Sequence, residues 1–228
     1  LCSHTRRHAP PASTPLPLLD ALPILLEARL VEGLSQSGVD AVRIGLGPTP
    51  MLSFAGATLG ADGGPMDASL MITGSHNPPE YNGIKMTLGG KPFYGKDILE
   101  LGRVAAAGAF SDGVGERVGE ARQHDIFATY VARLLQDYEG GKELTVAWDP
   151  GNGAAGEVVE ALVQKLPGTH HVINAKIDGT FPAHHPDPPV EKNLEQLKAL
   201  VADNTCDLGF AFDGAGDRSG VSDRRGRV

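Results

Sequence analysis

The sequence predicts an α/β protein of mixed, mainly parallel sheets flanked by helices, arranged as two consecutive domains of which the second is incomplete. Three observations carry that expectation. Apolar runs of strand type, "ASLMIT", "GIKMTL", "LTVAWD" and "CDLGFAFD", interleave with helical patterns such as "AAGEVVEALVQKL" and "NLEQLKALVAD". Such alternation builds parallel sheet covered on both faces. The length of 228 residues, 41% of them hydrophobic, exceeds the ~100–150 residues usual for one domain. The C-terminal "RSGVSDRRGRV" starts a strand, turns at "RRG" and stops two residues into a returning strand, as though cut within a hairpin.

The elements follow in order. Residues 1–24 are proline-dense and show neither helical nor strand period, so they read as a disordered leader or an artefact. Order is expected from about Leu25, where "LLEARLVEGLSQSG" places Leu26, Leu30, Val31 and Leu34 on one helical face and ends at Gly38. "VDAVRIGL" reads as a buried strand. In "GPTPML", Thr49 is placed to cap a helix whose first residue is Pro50, where the missing N–H costs nothing, and which runs toward Gly60. "ASLMIT" and "GIKMTL" are separated by too few residues for a crossover helix, so they should pair antiparallel. Helices follow in "KDILELGRVAAAG" and "DIFATYVARLLQDY", and "EGGK" then marks a boundary near residue 140. Beyond it, "LTVAWD", "HHVINAKID" and "CDLGFAFD" are the expected strands.

Composition excludes several functions. A net charge of −8 and a pI near 5.4 would repel nucleic acid and anionic membranes. Cys2 and Cys206 are too few for a metal cluster and show no disulfide framework. No stretch approaches the ~20 apolar residues of a membrane span, and no secretory pattern opens the chain. A cytoplasmic location fits these features.

Four stretches carry chemistry. In "TGSHNPPEYNGIK", Pro78 and Pro79 forbid a helix after Ser75, and Gly74, Asn77 and Gly83 permit unusual backbone angles. The serine is therefore displayed on a tight loop between strands. Taken alone, it reads equally as a polar turn. A hydrolase fits poorly, because adjacent Ser75 and His76 are not a triad and no G-x-S-x-G elbow surrounds them. In "FAFDGAGDRSG", Asp213 and Asp217 bracket two glycines at a strand end, so both carboxylates can face one hard cation with Arg218 beside it. Magnesium suits that loop better than calcium, whose twelve-residue loop needs further oxygens; a solvated Asp-Gly turn is the plainer alternative. In "DGTFPAHHPDPPVEKNL", His184, His185 and Asp187 invite zinc, yet a rigid structural loop is favoured because adjacent histidines in a proline-rich segment lack tetrahedral geometry. "DPGNGAAG" resembles a phosphate-cradling turn but lacks the Walker lysine, and a tight strand-to-helix turn is favoured.

These four motifs, in this order and spacing, resemble the α-D-phosphohexomutases, most closely the bacterial phosphomannomutase/phosphoglucomutase branch, from roughly Leu25 to the end. The resemblance implies a phosphohexomutase domain I over 25–140 carrying the phosphoserine loop, and a truncated domain II over 141–228 carrying the metal loop. It implies an intramolecular phosphotransferase, an isomerase interconverting hexose 6-phosphate and hexose 1-phosphate of mannose or glucose. Ser75 would carry the phosphoryl group, and a hexose 1,6-bisphosphate would serve as intermediate and activator. A phosphoserine brings nearly two negative charges, which a cation must neutralise during transfer. The implied ligands of Mg2+ are Ser75, Asp213 and Asp217. Arg218 would lie beside the phosphoryl group and Lys85 near the proton-transfer end. His76 and Asn77 would shape the loop, His76 among the catalytic residues and Asn77, with Arg218, among the phosphate-binding ones.

Two departures from the family pattern stand out. The metal loop of the family reads Asp-Gly-Asp-Gly-Asp-Arg, whereas Ala215 occupies the middle position here. The sugar-reading and phosphate-gripping motifs of the third and fourth domains, and the first arginine-bearing strand, are not found in this sequence. The expected partners are hexose phosphates and the missing C-terminal domains of the same chain, with the fragment inactive alone. The alternative is a non-catalytic metal- and phosphate-binding protein on the same scaffold.

Overall fold

The computed structural model describes residues 18–74, 81–108 and 117–228. Ser75, His76 and Asn77 lie outside the described residues. Helix α1 (Leu18–Gln36) begins at Leu18, not near Leu25. The helix-forming Leu18, Leu19, Ala21 and Leu22 outweigh Pro23, which removes one backbone rung. Gly38, at φ 78°, turns the chain away from the helix.

The strand expected over 39–46 shortens to β1 (Ala41–Arg43), with Val39 and Leu46 exposed. Gly45, at φ 79°, ends it. Helix α2 (Thr49–Thr58) takes Pro48 as its N-cap, and Thr49 makes no capping hydrogen bond, contrary to expectation. The Thr49 hydroxyl instead donates to Met71 Sδ at 3.2 Å. The hairpin is as expected: β2 (Ala68–Thr73) pairs antiparallel with β3 (Gly83–Leu88), from Ala68 opposite Leu88 to Thr73 opposite Gly83. Short β4 (Lys91–Pro92) extends this sheet. Helix α3 (Lys96–Ala107) follows, and β5 (Ala121–Gln123) pairs parallel with β1.

Helix α4 (Phe127–Gln136) leads into β6 (Leu144–Asp149), α5 (Gly156–Val163), β7 (Gly168–Val172), a 3₁₀ turn at Glu191–Leu194, α6 (Glu195–Asp203), β8 (Leu208–Phe212) and β9 (Ser219–Asp223). The strand expected over 170–178 starts at Gly168 and stops at Val172, because the chain turns at Asn174, whose φ is 52°. The four-stranded order is β7-β6-β8-β9, parallel except for β9.

Two cores hold these layers. Ala147, Leu194, Leu197, Val201, Cys206 and Ala211 join α6 to one face of the four-stranded sheet. Met51 and Ala55 of α2, Ile126, Tyr130 and Val131 in and before α4, and Val158 of α5 form the other. That second core spans the sequence on both sides of "EGGK".

Candidate active site

The β2–β3 hairpin positions the first component. Thr73 and Gly83 form its last pair, and Ser75 falls between them in the sequence. Lys85 lies opposite Met71 in β3. Its ammonium donates to Asp217 Oδ2 at 2.6 Å across the two halves of the chain.

The second component is the loop after β8. Asp213 is fully buried, and its Oδ1 accepts the backbone N–H groups of Asp217 (2.9 Å) and Arg218 (3.1 Å). Those bonds curl the glycine-rich segment back on itself. Gly216 stands at φ +67°, and a Cβ there would come within 2.8 Å of Pro48 Cβ. The Thr49 N–H donates to the Ala215 carbonyl at 2.8 Å, and the Ala154 N–H to the Gly214 carbonyl at 3.0 Å. The loop is thus gripped on one side by "GPTP" and on the other by "DPGNGAAG". The latter stretch is a strand-to-helix joint, with Gly151 and Asn152 both at φ 59° and the Asn152 side chain donating to the Lys176 carbonyl.

Electrostatics tie the components together. Burial would raise the Asp217 carboxyl, but the Lys85 ammonium, a hydrogen bond involving Asp213 and the Arg218 charge outweigh it and hold it below the ordinary range. Arg218 faces two carboxylates: Nη2 and Nε lie 3.3 and 3.4 Å from Asp213 Oδ2, and Nη1 lies 3.1 Å from Asp187 Oδ1. The histidine-rich loop therefore serves the site through Asp187. Its other end is fixed by His184, whose Nε2 lies 2.9 Å from Asp149 Oδ2 and Nδ1 3.0 Å from the His185 carbonyl. Both ring nitrogens meet acceptors, an arrangement that favours the doubly protonated imidazolium over either neutral tautomer. The Asp149 hydrogen bond raises the His184 pKa, burial opposes it, and the His185 carbonyl adds to the rise. Asp149 is fully buried and also accepts from the Gly151 N–H and the Asn174 amide. With both nitrogens engaged, His184 acts as a structural clamp and not as a zinc ligand.

For a metal, the described residues offer the two carboxylates of the 213–217 loop and no group of three or more His, Cys, Asp or Glu side chains. Carboxylate oxygens are hard donors of the kind magnesium takes, with waters wherever protein ligands are few. Here Asp213 Oδ1 is engaged by two backbone N–H groups, Asp213 Oδ2 by Arg218 and Asp217 Oδ2 by Lys85, so a cation would take the place of these contacts. Of the residues expected from the sequence, Lys85, Asp213, Asp217 and Arg218 lie together in the structure. The sequence marks Asp187 only as a candidate zinc ligand and Thr49 only as a helix cap, and Asp149 is not singled out by it. A buried acid closing the apolar run "LTVAWD" was the one available signal for Asp149.

Residues 25–114 match the family model described as phosphoglucomutase/phosphomannomutase, alpha/beta/alpha domain I, and residues 127–226 match that of domain II. The chain belongs to the phosphoglucomutase/phosphomannomutase family. It is 36% identical over 203 residues to a phosphomannomutase/phosphoglucomutase of Pseudomonas aeruginosa, covering 89% of this chain and 42% of that protein. Against a phosphoglucomutase of Neisseria meningitidis serogroup B, identity is 36% over 206 residues, covering 90% of this chain and 43% of the relative. A crystal structure of a phosphoglucomutase/phosphomannomutase family protein from Burkholderia thailandensis superposes with a TM-score of 0.81 at 38% identity, covering 89% of this chain and 44% of that one. The chain thus spans less than half the length of each of these three relatives.

Proposed function

We propose that this chain supplies the phosphoryl-carrying half of a hexose-phosphate mutase, with Ser75 as the carrier. The carrying observation is the meeting of Lys85 with Asp217 at 2.6 Å, which joins the hairpin that bears the serine loop to the Asp213–Arg218 loop. Arg218 stabilises charge on the transferring group, and Lys85 holds a proton near the sugar oxygen. His76 and Asn77 shape the serine loop and its phosphate contacts. Magnesium, held by Ser75, Asp213 and Asp217, would neutralise charge as the phosphoryl group moves. Mannose and glucose phosphates are the substrates, and hexose 1,6-bisphosphate the intermediate. Catalysis here depends on positioning, so this chain without the further domains of its relatives turns over no substrate. We place the protein in the cytoplasm; among the described residues no helix is long and apolar enough to cross a membrane.

Ala215 favours a second reading, a non-catalytic metal- and phosphate-binding protein. Intact-mass analysis after incubation with glucose 1,6-bisphosphate separates the two. A phosphate adduct mapped to Ser75 and absent in Ser75→Ala supports the mutase, and an unmodified serine in a chain that includes the further domains found in its relatives overturns it.

A further inference from the structure

The guanidinium of Arg218 is a planar fork, and a fork held at one edge can still swing about its long stem. Asp213 Oδ2 meets the Nε and Nη2 edge, while Asp187 Oδ1 meets Nη1 from a different segment of the chain. Asp187 does not stand on a loose loop. Its own N–H donates to the His185 carbonyl at 2.9 Å, and its carbonyl accepts from the Asn193 amide at 3.0 Å and the Val190 N–H at 3.1 Å. The neighbouring Pro186 and Pro188 are buried. Three residues before Asp187, His184 is locked to the fully buried Asp149 carboxylate. The brace therefore runs from the end of β6 through the proline-rich loop to the arginine after β8.

We propose that Asp187 is a positioning residue, which with Asp213 fixes the plane of the Arg218 guanidinium so that its donors meet a phosphoryl group, the His184–Asp149 pair holding Asp187 in place. This rests on the proposed function for its purpose, though the brace itself is a statement about Arg218. Charge-assisted bonds on both edges should slow exchange of the guanidinium protons with water and restrict its swing.

The test uses the 228-residue chain labelled with 15N-arginine, the Arg218 Nη1–H resonance, on the edge that Asp187 holds, being assigned by its loss in Arg218→Lys. Asp187→Ala should accelerate exchange of that proton at least about tenfold, while the Trp148 indole N–H, bonded to His170 Nδ1 at 3.1 Å, stays unchanged as a witness of the fold. Asp187→Asn keeps the shape should the alanine variant fail to fold, and is expected to accelerate exchange about threefold or more. Titration with orthophosphate should show binding weakened at least about fivefold in either variant. Exchange as slow in both variants as in the parent overturns the positioning role, whatever phosphate does. Accelerated exchange with phosphate binding unchanged in Arg218→Lys as well keeps the brace and overturns instead the placing of a phosphoryl group beside Arg218.

Discussion

A half-buried histidine hydrogen-bonded to a buried carboxylate makes stability depend on pH in a definite direction. The folded His184 pKa lies above its unfolded value of about 6.5, because Asp149 stabilises the charged ring. Its contribution is therefore complete below about pH 6.5 and lost as pH rises through the raised folded value. The difference in melting temperature between the protein and His184→Gln should be largest at mildly acidic pH and shrink as pH rises; a constant difference would mean that the ring is neutral. His184→Ala leaves Asp149 buried without its partner and should destabilise by about 3 kcal/mol at pH 6, measured by urea unfolding. A second residue-scale expectation concerns Ala215, which is 1% exposed beside Asp213 and Asp217. A carboxylate there without a cation adds unpaired buried charge, so Ala215→Asp should lower stability by about 2 kcal/mol in chelator. Magnesium should restore it and bind at least about tenfold more tightly than to the parent chain. Equal affinities in calorimetric titration would remove Ala215 from the ligand sphere and count against the proposed metal loop.

At the scale of elements, the joint between β6 and α5 leaves no room for a side chain at Gly156. A Cβ on Gly156 would lie 1.8 Å from the Ala175 carbonyl oxygen, and backbone cannot yield as a side-chain tip can. Gly156→Ala, although favourable for helix propensity, should destabilise by about 2–3 kcal/mol in denaturant unfolding. Much of this architecture is legible in the sequence. The β2–β3 hairpin declares itself because two apolar runs are too close for a crossover, and the sheet of β6, β7 and β8 because strands and helices alternate. Strand β1 is legible within "VDAVRIGL", although shorter than that run, whereas β5 is not: its three residues are all exposed and leave no apolar period to find. Thr49 has the composition of a cap, but its hydroxyl turns to Met71, a tertiary partner 22 residues away that local chemistry does not reveal. The site divides in the same way. Asp213, Asp217 and Arg218 share one short loop and could be read directly, whereas Asp187 reaches Arg218 from 31 residues away, through a fold that had to exist first.

At the scale of the molecule, the two halves of the chain share apolar surface as well as polar links. Met51, 1% exposed, comes from the helix following β1, yet its cluster includes Val158 of α5, from the second half of the chain. The Thr49–Ala215 hydrogen bond and the Lys85–Asp217 ion pair reinforce the same junction, although the ion pair is partly exposed and adds little by itself. Truncating Met51 to alanine removes buried surface from the shared core and should cost about 2–5 kcal/mol. Trp148 is the single tryptophan and lies in β6, stacked on Phe210 with ring centroids 5.1 Å apart. Its fluorescence therefore reports the second half alone. If the core couples the halves, Met51→Ala should shift the Trp148 unfolding midpoint to lower denaturant, coincident with the loss of helical circular dichroism. A Trp148 transition that stays in place while the dichroism splits into two steps would show that the halves unfold independently, the junction at Met51 then being too weak to hold Lys85 against Asp217.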